Sequence, residues 1–566
     1  MKKRAIIINT AIMFGFIAVF LRLIGLMVIN HERLSEMAKI QQLKHENKQV
    51  RRGTIFDRRG RELGVNLEME SLYCDPDAIA HPRTAAHNIS RATGENPNII
   101  LAKFSQKGRF VWLERKLQPE VSAKIKGMSM KGIGLMPDAK RFYPKGMLAS
   151  HVIGAVGIDN QALEGVELKY DKFLRNRGGK VLVARDARGT TLSDGVEIES
   201  KGNNIILTID EGLQYIVEKE IESAMIRWNA SAVTAIMMNP FTGEVLALAN
   251  RPAYDTNQII NASNNEKRNR AITDCYEPGS TFKIIVGTAA LEEGIVDLDT
   301  KFDCSKGFIA VGGKVIHDAH KHGVLTFREV IQKSSNVGSV MIGMKLGKEK
   351  IYEYAKHFGF GENTGIDLPG EVSGWIRPPE KWSGVSLGAI PIGQEVAVTP
   401  LQILRAYSAI ANGGMLVTPH VVSEVQSPEG HLVYSFVSKD NKAAISQRTA
   451  EIFKDILKTV AEEGGTGTGA SVEGNQVAGK TGTAQMIDPK TKRYSREKFV
   501  SSFVGFVPAD NPKIALIVIV YEPKGQNYGG VVAAPVFKEI ARQSLSYLNV
   551  PREDAEGRNI LVVDRR

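Results

Sequence analysis

Residues 5–29 of this 566-residue chain form an almost unbroken apolar run whose one charge, Arg22, comes late. A run of that length, coiled as a helix, is enough to cross a bilayer. Arg22 can reach the far interface by snorkelling. Lys2, Lys3 and Arg4 precede the run, and Asn30-His-Glu-Arg33 follows it in place of a small-residue cleavage site. The expectation is an uncleaved, single-pass anchor over residues 1–30. By the positive-inside rule its first residues stay in the cytoplasm and everything after about residue 30 is exported. No second stretch of spanning length follows.

The exported part is then constrained by its charge. Lysine and arginine outnumber aspartate and glutamate by 73 to 62, a net +11. That balance suits an anionic partner. The basic residues are scattered, with no zinc-finger or helix-turn-helix signal, so a nucleic-acid partner is not expected. Cys74, Cys275 and Cys304 are too far apart for a metal motif. Asp274 and Glu277 beside Cys275 would raise its pKa, against a reactive thiol. A Cys275–Cys304 disulfide is left open by the sequence.

Residues 31–48 are polar and helix-prone, a stalk. Residues 49–203 mix short helical patterns, such as 122–131, with Gly- and Pro-punctuated loops. They carry no catalytic constellation, and Asp57, His151 and Glu167 read as scaffold. From 204 onward the patterning changes. A strand at 204–210 leads to a helix over 212–229, and 231–238 and 244–249 read as a hairpin across Asn239-Pro-Phe-Thr-Gly243. Helical patterns cover 327–346, 400–411 and 535–548, and strands cover 476–485, 501–506 and 513–521. The tail, 551–566, is polar. A sheet assembled from both ends of 204–550 with helices between is an α+β layout.

Within this region Tyr276-Glu-Pro-Gly-Ser-Thr-Phe-Lys283 stands out. A turn at Pro278-Gly279 precedes an apolar run that Gly294 ends, so the pattern predicts a buried helix starting at or just before Ser280. Ser280 and Lys283, three apart, share one face of its first turn. A serine hydroxyl needs a base to become a nucleophile. A buried lysine at the positive end of a helix dipole is biased toward the neutral form that can serve. Ser-x-x-Lys is expected about twice by chance in a chain this long. The second match, Ser495 to Lys498, lies among charged residues and reads as a solvated loop.

Three further patterns are weak singly. Gly474 to Thr481 matches a Walker A loop, yet the downstream Gly482-Thr-Ala-Gln-Met486 is not helix-like, which argues against a P-loop. Read as a strand, Lys480-Thr481-Gly482-Thr483 alternates faces, with Lys480 and Gly482 on one and the threonines on the other. An ammonium near hydroxyls suits a carboxylate, and a glycine lets a ligand backbone approach. Ser334-Ser335-Asn336 can relay a proton or hold an amide, but Ser263-Asn264-Asn265 matches the same Ser-x-Asn pattern.

The ordered set is far more specific. Ser-x-x-Lys, then Ser-x-Asn, then Lys-Thr-Gly is the signature of penicillin-interacting serine enzymes. The exported region resembles a class B penicillin-binding protein, and more narrowly the division-specific FtsI type. The likeness covers nearly the whole chain. Arg52-Gly-Thr-Ile-Phe-Asp-Arg58 and Ile158-Asp-Asn-Gln-Ala-Leu-Glu-Gly-Val-Glu167 resemble the signatures of the family's non-catalytic domain. Asn269-Arg-Ala-Ile-Thr-Asp274 and Gln332-Lys-Ser-Ser-Asn-Val-Gly338 are especially like the division type. Gly393-Gln394-Glu395 departs from the Gly-x-Gly loop of many relatives. The C-terminal repeat modules of some Gram-positive relatives are absent.

The resemblance implies an elongated pedestal (dimerisation-type) domain over 49–203 and a penicillin-binding transpeptidase domain over 204–550, an antiparallel sheet flanked by helices. It implies a D,D-transpeptidase that cross-links septal peptidoglycan in the exported compartment. Ser280 is then the nucleophile, Lys283 its base, and Ser334 and Asn336 the relay and donor clamp. Lys480, Thr481, Gly482 and Thr483 form the substrate-binding strand, and no metal or organic cofactor is needed. Expected partners are stem peptides ending in D-Ala-D-Ala, β-lactams as covalent inhibitors, and divisome membrane proteins including an FtsW-type SEDS glycosyltransferase. A D,D-carboxypeptidase or β-lactamase with the same site, and a division scaffold with secondary catalysis, are the alternatives.

Overall fold

The computed structural model describes residues 2–32, 34, 43–47, 51–175, 180–184, 201–438, 442–488, 491, 493–553 and 559–560. Most of the 31–48 stalk and of the 551–566 tail lies outside them. Residues 53–174 and 203–566 form one compact unit, and residues 1–52 with 175–202 form another.

In the smaller unit the apolar run is a helix, Lys2–Ile24, that widens into a π-helical turn at Gly25–Ile29. Two of its polar side chains bond back to its own backbone. Thr10 Oγ1 donates to Ile6 O at 2.8 Å, and Asn30 Nδ2 closes the end on Gly25 O at 2.8 Å. Its apolar side chains, Phe14, Phe16 and Met27 among them, are exposed along the whole length. Such a surface belongs in hydrocarbon, and the helix is the membrane anchor. Residues 43–47, inside the helix-prone stretch, instead pair as a strand, Leu43–Asn47, with Lys180–Ala184. Cross-strand pairing there overrides local helix propensity.

Two large sheets, beside several two-stranded ones, build the larger unit. One is seven-stranded and draws on distant parts of the chain. Leu432–Ser435, Val422–Gln426, Asn204–Leu207, Ile55–Phe56, Glu62–Cys74 and Val111–Leu117 follow one another across it, and Ile133–Phe142 pairs with Glu62–Cys74 from Val65↔Phe142 to Cys74↔Ile133. Three helices cover its far end: Pro82–Thr93, Pro97–Phe104 and Pro119–Gly127. Each opens on a proline, whose missing N–H has no partner to lose at that position. Leu72, Ile89, Ile100 and Leu113 fill the space between. The pattern at 122–131 thus marks a real helix that starts a few residues earlier.

Asp57, His151 and Glu167 are all buried in this part. Asp57 Oδ1 accepts the backbone N–H groups of Arg59 and Arg61, both at 2.8 Å. Arg141 Nε donates to Glu167 Oε1 at 2.6 Å with both side chains out of solvent, and Arg141 Nη1 reaches Gly53 O at 2.8 Å. His151 bonds Glu266 O at 2.8 Å, and burial holds its pKa down to about 4.

The second sheet is five-stranded and antiparallel: Ala478–Ile487, Tyr494–Val507, Ile514–Tyr521, Ala232–Met238, Val245–Arg251. Ile514–Tyr521 is buried throughout, and its alternation explains the fold. Leu516, Val518 and Val520 face one core, packed by Leu213, Val217 and Ile221 of the helix Glu211–Trp228 and by Phe537 and Ile540 of Ala534–Tyr547. Ala515, Ile517 and Ile519 face the other, shared with Pro400–Ala411 and Lys283–Glu292. A strand apolar on both faces is one covered on both sides.

The helical pattern over 327–346 is two helices, Phe327–Gln332 and Asn336–Leu346, broken at Lys333–Ser335. Two N-terminal caps, Thr326 with Glu329 and then Ser335, start the chain twice. The Ser495 to Lys498 segment is an exposed part of the strand Tyr494–Val507, not a loop. All three cysteines are free thiols.

Glu167→Ala would leave the Arg141 guanidinium buried without its counter-charge, a loss of about 3–5 kcal/mol for breaking a buried pair. A large drop in the urea midpoint is expected; an unchanged midpoint would show that the pair holds nothing together.

Candidate active site

The chain reaches Ser280 through a sharp entry. Tyr276 and Val398 exchange backbone hydrogen bonds of 3.0 Å, Gly279 adopts φ +56°, and Gly279 N–H donates to Gly393 O at 3.1 Å. Ser280 then lies on a 3-10 turn, Gly279–Phe282, and the α-helix begins only at Lys283. The helical run therefore starts just before Ser280, as expected, with its first turn wound as a 3-10 helix. The left-handed glycine allows the tight entry, and Thr281 Oγ1 donates back to Pro278 O at 2.8 Å to tighten the turn. Gly294, with φ +64°, lies just past the helix end.

Lys283 is 1% exposed although it carries an amine. Its Nζ donates to Ser334 O at 2.6 Å, contacts Ser334 Oγ at 3.2 Å and reaches Asn336 Oδ1 at 2.9 Å. Burial brings its pKa down to about 7, opposed by the charge of Asp318. Ser334 is held at φ +58°, a left-handed conformation that serine seldom adopts. Strain of that kind clusters at functional sites. It turns Ser334 O and Oγ toward the lysine, while Ser335 turns away to cap the next helix through Gly338 N–H at 3.0 Å.

The third pattern forms the wall opposite. Lys480, Thr481, Gly482 and Thr483 lie in the strand Ala478–Ile487, not in a loop that opens a helix, so the Walker A match has no P-loop geometry. This strand and the Gly279–Phe282 turn nearly touch. A Cβ on Gly279 would stand 3.0 Å from Thr483 O. One on Gly482 would stand 2.9 Å from Thr281 Cγ2, 3.2 Å from Pro278 O, and inside contact distance of Ser502 Oγ. Lys480 is fully buried. Its one hydrogen-bond contact among the described residues is Thr481 Oγ1, at a weak 3.5 Å. Burial, and then repulsion from Lys283, push its pKa well below normal. Thr481 Oγ1 pairs with Thr466 Oγ1 at 2.8 Å. Thr483 Oγ1 accepts Gly529 N–H at 3.0 Å, which leaves its own proton free for a ligand. Two buried amines facing one another favour an anion between or beside them.

The structure thus joins Lys283 to Ser334 and Asn336, and sets the strand that carries Lys480 to Thr483 against the turn that carries Ser280. Two features were not legible. Asp318 faces Lys283 and bonds to Ser335. A strap of residues 393–398 also holds the Gly279–Phe282 turn. Glu395, at φ +57°, donates its N–H to Glu277 Oε1 at 3.0 Å. Its carboxylate accepts Arg377 at 3.0 Å and Ser386 Oγ at 2.6 Å. Tyr494 donates to the same Glu277 oxygen at 3.1 Å. Burial raises the pKa of Glu277.

The fold and cleft are those of a serine acyltransferase, and comparison with known proteins gives the family. The model of the penicillin-binding protein transpeptidase domain matches residues 233–542, and that of the penicillin-binding protein dimerisation domain matches 47–207. The chain belongs to the penicillin-binding protein transpeptidase family, as a class B member. It is 35% identical over 568 residues to stage V sporulation protein D of Bacillus subtilis, covering 98% of this chain and 87% of that protein. It is 32% identical over 543 residues to the peptidoglycan D,D-transpeptidase FtsI of Escherichia coli K12, covering 94% and 89%. The crystal structure of penicillin-binding protein 3 from Mycobacterium tuberculosis with aztreonam superposes with a TM-score of 0.70 at 29% identity, over 89% of this chain and 98% of that one.

Gly482→Ala should wedge the strand away from the nucleophile turn. Labelling by a fluorescent penicillin is expected to slow at least tenfold with the circular dichroism spectrum unchanged. Wild-type labelling would mean that the close approach has no role.

Proposed function

We propose that this chain is a membrane-anchored peptidoglycan D,D-transpeptidase of the division septum, acting through an acyl-enzyme on Ser280. The observation that carries the reading is Lys283: an inaccessible amine beside the nucleophile turn, with a pKa near 7, bonded to both Ser334 and Asn336.

The donor is a stem peptide ending in D-Ala-D-Ala. Its terminal carboxylate is held by Lys480 and the hydroxyls of Thr481 and Thr483, with Gly482 leaving room for the peptide backbone. The Ser280 proton passes to neutral Lys283 as Oγ attacks the penultimate carbonyl. The N–H groups of Ser280 and Thr483 receive the oxyanion. The C–N bond breaks, and the departing D-Ala amine takes the proton through Lys283 and Ser334. Asn336 holds the donor amide. A neighbouring stem amine attacks the ester and loses a proton to the same base; the ester C–O bond breaks, and Ser280 Oγ takes the proton back as the cross-link forms. A β-lactam enters as a mimic of the donor and remains on Ser280.

The lysines before the anchor support an exported catalytic region, and likeness to FtsI supports a septal site. The anchor is the surface through which an FtsW-type SEDS glycosyltransferase and other divisome proteins would be met. Boundaries near 49–203 and 204–550 serve as pedestal and catalytic domains. Likeness to the sporulation protein favours one second reading, the same chemistry in spore formation. Depletion should give filaments; normal division with failed spores would assign the second role.

Brief exposure to benzylpenicillin should add one penicilloyl mass to wild type and none to Ser280→Ala. No adduct on folded wild type would overturn Ser280. Rapid loss of the adduct, or a product assay yielding only tetrapeptide, would point to a hydrolase. Division supported by Ser280→Ala would make the chain a scaffold.

Acylation should rise with pH through a limb near 7, because Lys283 is protonated and idle below it and neutral above. Lys283→Arg, charged at every accessible pH, should lose at least a hundredfold. Retained activity would exclude Lys283 as the base.

A further inference from the structure

We infer that Asp318 is a positioning residue of this site: its carboxylate fixes the Ser334–Asn336 turn against Lys283 and supplies the counter-charge for the lysine when it takes the serine proton. The inference rests on the acyl-transfer reading above.

Asp318 lies on the segment after the strand Lys314–His317, outside all three motifs. Its Oδ1 accepts the backbone N–H groups of Asn336, in a very short bond, and of Val337 at 3.1 Å. Its Oδ2 accepts the Ser335 hydroxyl proton at 2.9 Å. Those donors open the helix Asn336–Leu346, so the carboxylate satisfies orphan N–H groups and meets the positive end of the dipole. The preceding residue grips the same asparagine from its other end, with His317 O accepting Asn336 Nδ2 at 2.9 Å. That bond fixes the amide so that Oδ1 faces Lys283 Nζ at 2.9 Å. Residues 317 and 318 thus hold Asn336 by backbone and side chain, and Ser335 by its hydroxyl. Ser334, strained between Lys333 and these anchored residues, keeps its carbonyl 2.6 Å from the lysine.

The charge matters as well as the hydrogen bonds. Lys283 is faced by Asp318 on this segment and by Lys480 on the strand across the cleft. Asp318 in turn neighbours the buried Cys304 thiol, itself within 3.5 Å of Ser335 Oγ. When the Ser280 O–H bond breaks and Lys283 Nζ gains the proton, an ammonium forms in a buried place beside a second amine. Asp318 is the carboxylate that offsets it. A mere helix cap would not need the charge, because asparagine caps as well as aspartate.

That distinction sets the test: the pH dependence of benzylpenicillin acylation in the full-length chain, wild type beside Asp318→Asn. Removing the negative charge makes Lys283 harder to protonate. The limb near 7 is expected to move down by about one pH unit, and the plateau rate to fall at least tenfold, with the adduct still on Ser280. An unchanged limb and plateau would reduce Asp318 to a cap and overturn the inference. Should Asp318→Asn not fold, Asp318→Glu keeps the charge but displaces the anchors. It is expected to hold the limb near 7 while the plateau falls, and wild-type kinetics there would equally overturn it. A wild-type adduct that maps away from Ser280, or no wild-type limb near 7, would instead defeat the parent reading.

Discussion

The site depends on keeping one amine out of water. Lysine is among the residues least often fully buried, and Lys283 stays buried because its neighbours replace the solvent: a strained carbonyl, a hydroxyl and an amide oxygen. This arrangement explains several otherwise unrelated features. The break between Phe327–Gln332 and Asn336–Leu346 exists to present Ser334. The α-helix starts at Lys283 and not at Ser280, so the amine is at the positive end of the dipole while the serine stays on a turn that can face a substrate.

Holding three separate chain segments to such tolerances falls to the five-stranded sheet and its two cores. The strand that carries Lys480 to Thr483 is paired along its length, Lys480 opposite Val504 and Thr483 opposite Ser501. A slip of one residue would exchange Lys480 and Thr481 between faces. Glycine is required where backbones meet. At Gly393, with φ +77°, any Cβ would collide with the backbone of Gly279, one residue before Ser280. The strap, the turn and the strand are therefore one packed body, and the site is positioned on regular elements more than on loops.

Much of this was readable in the sequence, for physical reasons that also mark where reading fails. The anchor, the hairpin of Ala232–Met238 with Val245–Arg251, and the helices Pro400–Ala411 and Ala534–Tyr547 appear because local apolar patterns determine them. The motif residues were legible only as an ordered set, each alone being common. What escaped was non-local. Nothing near Ile55, Asn204 or Val422 announces that they share a sheet. Asp318 sits in a short polar run, and its task is set by a helix that begins many residues later. Glu395 was visible as a departure but not as an anchor, since its partners Arg377, Ser386 and Glu277 are brought to it by the fold.

The pairing of two buried lysines also bears on how substrate and chemistry are coupled. Without an anion, burial acts on both Lys283 and Lys480, and repulsion from Lys283 adds to it at Lys480. In the proposed mechanism one of the two acts as the base and the other stays a cation to hold a carboxylate, and identical side chains cannot divide those roles unaided. The surroundings divide them. Lys283 is supplied with acceptors from Ser334 and Asn336 and a carboxylate at Asp318, which allow its proton to come and go near neutral pH. Among the described residues Lys480 has only the weak contact to Thr481, so its ammonium is best stabilised by a ligand carboxylate. In the proposed reaction the donor peptide thus brings the charge that fixes Lys480 as a cation. A protonated Lys480 in turn disfavours a proton on Lys283, so binding the correct anion readies the base.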